Sequence, residues 1–283
     1  MFLKTPSPLR LATSALLLAA GATAASANNA IVNTIQNAAS GTTVNVSGTY
    51  TGITTRIVVP SGVTVKGPAT FVFTTGASAD GFYIPAANHN VTLQSLTVTG
   101  ANHGIMVYGY SNSIQSCISY GNQNTGIELI GSAAKNNVVN NCQGKQNADN
   151  AAAGGNADGF AAKQGTSTGN KFTNCDAHQN SDDGWDLEKS AAPVTISGCT
   201  SYNNGNYNGL TGNGNGFKLG ISGDNVAHIL TNSNAHDNTK GDSAHGIAAN
   251  HNTGKIQISG CHTYANKNKD DLGNSVVTNS TLQ

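Results

Sequence analysis

Apolar residues in this chain fall in short runs that alternate with polar ones, bounded by glycine and asparagine. Such alternation marks strands with one buried face, and no heptad pattern competes with it. The runs also repeat. Cys117, Cys142, Cys175, Cys199 and Cys261 are each followed five positions later by asparagine: Asn122, Asn147, Asn180, Asn204 and Asn266. A sixth copy has Ser233 and Asn238. Further along each copy, a glycine precedes a large apolar residue, as in Gly126-Ile127, Gly159-Phe160, Gly184-Trp185, Gly216-Phe217 and Gly246-Ile247. Gly81-Phe82 and Gly104-Ile105 are earlier, less regular copies. With Leu96 counted before Cys117, the cysteine positions lie 21 to 34 residues apart.

Short strands at this period predict the coils of a parallel β-helix. One coil cannot bury its own apolar face, whereas a stack of coils can. Equivalent residues then lie about 4.8 Å apart. Parallel crossovers are right-handed in roughly 98% of cases, so the expected fold is all-β, a right-handed parallel β-helix. An antiparallel sandwich would not reproduce one offset six times. The recurring cysteine reads as an internal stack of small hydrophobes. The recurring asparagine reads as a turn residue that bonds the coils above and below. Adjacent coils would bring Cys117 and Cys142 within disulfide range. Residues 29–38 place Ile31, Val32 and Ile35 on one helical face, which predicts an N-terminal capping helix. Residues 40–75 read as the first strands, and the tail after Asp271 as short and polar.

Composition sets the compartment. Lys4 and Arg10 precede the apolar run Leu11 to Ala20, and Ala25-Ser26-Ala27 is a small-x-small cleavage site. Residues 1–27 therefore read as a secretory signal peptide, and residues 28–283 as one exported, extracellular, monomeric β-helix domain. No later stretch reaches the roughly 18 apolar residues of a membrane helix. The formal charge is balanced, which gives no basic surface for nucleic acid. The cysteines include no C-x-x-C, so zinc and redox roles have little support. Arginine occurs only at Arg10 and Arg56.

The acidic residues are few and clustered. Of 14 in the chain, six lie between Asp158 and Glu188. In the repeat register, Asp158 sits two positions before Phe160 and Asp183 two before Trp185, so the two should stack on adjacent coils. Asp182 adjoins Asp183, and Asp186 follows Trp185 on the outward side. Carboxylates at about 5 Å repel each other unless a cation lies between them, and calcium accepts six to eight oxygens at about 2.3–2.6 Å. Four aspartates without cysteine or histidine favour a hard ion such as calcium (Ca2+) over zinc. A solvated N-S-D-D-G turn is the plainer alternative. One coil further on, Lys218 occupies the register of Asp186, so the two should meet on one face.

A metal beside a lysine suits one chemistry. A polyuronate carries an acidic hydrogen on C5, next to its carboxylate. Calcium on that carboxylate acidifies the hydrogen and stabilises the developing enolate charge. Neutral lysine can then take the proton, its pKa lowered by the neighbouring cation. Loss of the C4 oxygen leaves an unsaturated sugar. Arginine serves as base in some pectate-cleaving β-helices, but Arg56 lies far from the cluster in sequence.

Three blocks carry a family resemblance: NADGFAAK from Asn156, GNKFTNCDAHQNSDDGWDL from Gly169 and GNGFKLG from Gly214. They resemble the core motifs of the family 9 polysaccharide lyases, which include pectate lyases on a right-handed parallel β-helix. The resemblance spans roughly residues 102–266. It implies a calcium site at Asp158, Asp182, Asp183 and Asp186, Lys218 as the proton-abstracting base, and an acidic polysaccharide such as pectate as substrate. Other uronate or amino-sugar polymers stay open, and substrate-contacting residues stay unassigned.

Weaker signals are read as structural. GTSTG at Gly165 matches G-x-S-x-G without the strand–elbow–helix that motif needs. His103 and His245 read as turn residues. Lys163 and Lys189 either hold substrate carboxylates or are solvated. A polygalacturonase-type hydrolase would use paired aspartates, but its Gly-His-Gly and Arg-x-Lys segments are missing. A calcium-stabilised binding protein without activity would have no need of Lys218.

Overall fold

The computed structural model describes residues 24–283. Pairings between its strands are parallel throughout and link each coil to the next. Eight strands form one sheet, and seventeen form a second that divides into two faces beyond Thr64–Phe73 and Thr92–Thr99. The result is a three-faced parallel β-helix around one apolar core.

The repeat explains why strands are so short. The residue before each cysteine-column position has a φ between 48° and 66°, from Ser116 through Asn141 and Asn174 to Asn279. The residue before each ladder asparagine is also left-handed, as at Gly121, Gln146 and Asn203. Asparagine and glycine tolerate this backbone better than most residues, which accounts for their abundance. Between corners, each ladder asparagine bonds its neighbour. Asn147 Oδ1 accepts from the Asn122 amide at 3.1 Å and from Asn122 Nδ2 at 2.9 Å. The same pair of bonds recurs from Asn147 to Asn180, Asn204, Asn238 and Asn266. A second ladder, Asn112–Asn137–Asn170, runs five residues before the cysteines. This ladder is shorter, because Val194, His228 and Ile256 replace asparagine in later coils.

The apolar column is in the expected register: Phe82, Ile105, Ile127, Phe160, Trp185, Phe217 and Ile247, with Ile57 as an additional first member. All are buried. Trp185 is stacked between Phe160 and Phe217, with ring centroids 4.8 and 4.9 Å away. The preceding glycine is required by close approach. A Cβ on Gly159 would fall 2.6 Å from the Ala177 methyl, and one on Gly184 2.0 Å from Ser201 Oγ.

Three expectations change in detail. All five cysteines are free, so the Cys117–Cys142 bridge is not formed; instead the Cys117 amide faces Cys142 Sγ at 3.4 Å. The cap helix spans Ala24–Gln36, starting before residue 29, and buries Val32 and Ile35. The C-terminal segment is not merely a polar tail. Val276–Thr278 pairs with Gln257–Ser259, and Ser280 extends the cysteine column by accepting from the Cys261 amide. Two adjacent β-branched valines account for the added strand. Residues 1–23 of the expected signal peptide lie outside the described residues. Among the described residues no helix is long and apolar enough to cross a membrane.

Candidate active site

The eight-stranded sheet carries the acidic cluster. Strands Phe160–Lys163, Trp185–Asp186 and Phe217–Lys218 are consecutive in it, with Ala161 opposite Asp186 and Asp186 opposite Lys218. The predicted stacking of Asp158 and Asp183 is present: the Asp183 amide donates to Asp158 Oδ1 at 3.3 Å. One carboxylate oxygen from each of Asp158, Asp182 and Asp183 lies within 4.8 Å of the others. All three side chains are buried.

Backbone donors fix this trio. Asp182 accepts from the amides of Asn213 at 2.7 Å and Asn156 at 2.8 Å. Asp183 Oδ1 accepts from the Asn215 amide at 2.7 Å and from Asn215 Nδ2 at 2.9 Å. Asp183 Oδ2 is buried with no hydrogen-bond partner. Gly212 leaves room for the cluster, since a Cβ there would sit 2.5 Å from Asp182 Oδ1. A buried, unpartnered carboxylate oxygen among other carboxylates fits a hard cation.

Two lysines flank Asp186. Lys218 Nζ lies 3.3 Å from Asp186 Oδ2, 3.6 Å from Asp183 Oδ2 and 3.6 Å from Glu188 Oε2. Lys163 Nζ lies 3.0 Å from Asp158 Oδ2 and 3.2 Å from Asp186 Oδ2. The carboxylates divide accordingly. Burial pushes Asp158 up to about 7, despite Lys163. Burial and the Asp182 charge push Asp183 well above the carboxylate range, and burial raises Asp182. Burial also opposes ionisation of Asp186, but Lys163 and Lys218 outweigh it and hold that pKa low. Burial disfavours the Lys218 charge, yet Asp186, Asp183, Asp158 and Asp182 outweigh it and hold the ammonium protonated.

The structure therefore brings all five predicted residues together, with Asp186 between the lysines instead of within the trio. It also adds Lys163 and Glu188. Lys163 is buried and ion-paired, neither solvated nor free for substrate. Both occupy the third position after their apolar column residue, so the same register places them beside Asp186. Lys189 is solvated, with 63% of its side chain exposed. His103 is more than a turn residue: it joins Asp80 at 2.8 Å and Glu128 at 3.0 Å. Their charges outweigh its burial and raise it to about 9.

Fold and site together define a parallel β-helix with a carboxylate cluster suited to a hard cation on one face. A family model described as "Pel9A-like, right handed beta helix region" matches residues 12–279. The chain belongs to that family, its helix is right-handed, and the family 9 resemblance of the three sequence blocks is borne out. Pectate lyase L of Dickeya dadantii (strain 3937) is 34% identical over 188 residues, covering 65% of this chain and 43% of that protein. Pectate lyase L of Paenibacillus polymyxa (strain SC2) is 34% identical over 209 residues, covering 66% and 45%. The chain thus spans less than half the length of these curated relatives. Among solved structures, the crystal structure of pectate lyase Pel9A aligns with a TM-score of 0.78 at 28% identity, covering 89% of this chain and 70% of that one. A rhamnogalacturonan lyase aligns at a TM-score of 0.67 and 24% identity, a likeness of fold alone.

Proposed function

We propose that this chain is a secreted, calcium-dependent pectate lyase that cleaves α-1,4-linked galacturonan by β-elimination. The observation that carries this reading is the buried aspartate trio, with its unpartnered Asp183 Oδ2, lying 3.6 Å from the Lys218 ammonium. The names of the Dickeya, Paenibacillus and Pel9A relatives favour pectate over other uronate polymers.

In this reading Asp158, Asp182 and Asp183 would hold calcium, with Asp186 as a fourth carboxylate shared with the lysines. Bound calcium supplies Lewis acidity toward the uronate carboxylate, which acidifies the C5 hydrogen. Lys218 takes that proton on Nζ. The C5–H electrons form the C4–C5 double bond as the C4–O bond breaks, and water protonates the leaving oxygen. Without a cation, the surrounding carboxylates keep Lys218 protonated and unable to act. Neutralising those carboxylates is what frees it as a base. Asp186 positions Lys218 through Oδ2, and Lys163 ties Asp186 to Asp158.

The test is ultraviolet absorbance of unsaturated uronides released from polygalacturonate, with and without chelator. The expected result is product formation that chelator abolishes and that Lys218→Ala loses. New reducing ends without unsaturated product would place the chain among the hydrolases. Wild-type rates in excess chelator would exclude calcium, and full activity of Lys218→Ala would exclude that base. Polymer binding without turnover would make it a binding module.

A further inference from the structure

The outer side of the eight-stranded sheet continues well beyond the acidic site. Tyr83, Met106, Glu128, Ala161, Asp186 and Lys218 occupy one register column and project to the same side. Five rungs separate Tyr83 from Lys218, about 24 Å at the spacing of paired strands. A cavity of about 270 Å³ lies on this face between them, lined by Lys163 and Glu188 toward the site and by Met106, Ile130 and His103 further along.

The far end has a distinct character. The Arg56 guanidinium lies 4.5 Å from the Tyr83 ring centroid, and the Tyr83 and Tyr108 rings are 5.6 Å apart. Arg56 is exposed and takes part in none of the ion pairs found among the described residues. It is the one arginine of the chain outside the expected signal peptide. The nearby acids Asp80 and Glu128 are both engaged by His103, so they do not claim it. In the opposite direction the sheet offers Ala248, Gly220 and Asn250, with neither aromatic ring nor cation.

We infer that Arg56, ordered on Tyr83 beside Tyr108, forms a distal subsite for a uronate unit of the polymer bound at Lys218. This rests on the polyuronate-lyase reading above. Stacking on Tyr83 orders the guanidinium and leaves its planar donor edge for a carboxylate. Tyr108 offers an aromatic surface to the sugar ring. The span to Lys218 needs several sugar units, so only long chains reach both ends. A polymer bound in this way lies along the helix axis toward its N-terminal end.

The readout is chain-length preference. For Arg56→Ala and Tyr108→Ala, kcat/KM is measured on polygalacturonate and on an oligogalacturonate too short to reach Tyr83. The polymer-to-oligomer ratio should fall about tenfold, mainly through KM on the polymer. An unchanged ratio would overturn the subsite, as would equal losses on both substrates in a variant with wild-type melting. Retardation in a polygalacturonate gel with chelator separates this inference from the lyase reading. If wild type forms no unsaturated product but its retardation is lost in Arg56→Ala, the lyase reading fails and the subsite stands. If wild type is an active lyase and Arg56→Ala is retarded like wild type, the subsite fails alone.

Discussion

If the trio holds calcium as proposed, acidifying the protein from about pH 8 to about pH 6 should weaken that binding about tenfold through Asp158 alone. A metal-binding carboxylate must be deprotonated, and burial pushes Asp158 up to about 7. At about pH 6 roughly nine in ten Asp158 carboxyls carry a proton; at about pH 8 roughly one in ten do. The ion therefore displaces close to one proton from Asp158 at the lower pH and almost none at the higher. Burial and the Asp182 charge raise Asp183 as well, which acts in the same direction. Asp186 adds none, because Lys163 and Lys218 keep it ionised.

Titration calorimetry in two buffers of different ionisation heat counts these protons directly. The expected count is about one or more at about pH 6, decreasing toward about pH 8. A count near zero at both, with flat affinity, would refute the reasoning: the carboxylates would then be ionised without an ion, as ordinary exposed carboxyls are. Stability gives the same sign. A carboxyl with a raised folded pKa favours folding when protonated, so the cation-free fold weakens as pH rises through about 7. His228, pushed down to about 4 by burial, acts oppositely below its ordinary value. Melting curves mix these contributions, and the proton count on binding separates them.

Gly212→Ala should lower calcium affinity at least about tenfold and also lower the melting temperature, because its Cβ would reach Asp182 Oδ1 at 2.5 Å and the Gly154 carbonyl at 2.9 Å; unchanged affinity by calorimetry would contradict the close approach. His103→Gln should remove a pH-dependent term. The raised His103 pKa stabilises fully below about pH 6.5, and that stability is lost as pH rises through about 9, at most about 3 kcal/mol. Denaturant titrations across that range should show the loss in wild type and not in the variant.

The register made most of this legible from sequence. A five-residue offset between cysteine and asparagine is set by corner geometry, so it survives insertions that change coil length, such as residues 148–157. The glycine and large apolar pair then fixes which residues share a column, and that alone places Asp158 over Asp183 and Asp186 beside Lys218. What escaped depended on side-chain reach. Lys163 and Glu188 belong to the same column, but that one turns inward to two aspartates depends on burial. His103 bridges Asp80 and Glu128 from neighbouring coils: Asp80 and His103 each sit two positions before a column residue, so the register stacks them, whereas the contact with Glu128 depends on side-chain reach. Arg56 is distant from the cluster in sequence and lies over Tyr83, five rungs from Lys218, yet coiling puts both on one face.

The arrangement of charge is the reason the proposed divalent ion is assigned to these aspartates and not to their neighbours. Five carboxylates (Asp158, Asp182, Asp183, Asp186 and Glu188) face two ammonium groups. The lysines lie closest to Asp186 and Asp158, and Asp182 depends on backbone amides. That leaves Asp183 Oδ2 without a donor and the trio under-neutralised. A monovalent ion would reduce the deficit less than a divalent one in the same volume, where the field of nearby charges is weakly screened. The strand ladder prevents the usual escape, in which repelling carboxylates swing apart into water. Their backbones are fixed one rung apart by columns of asparagine and stacked aromatic rings. The cluster must therefore take up protons or a cation, and above about pH 7 Asp158 no longer holds its proton.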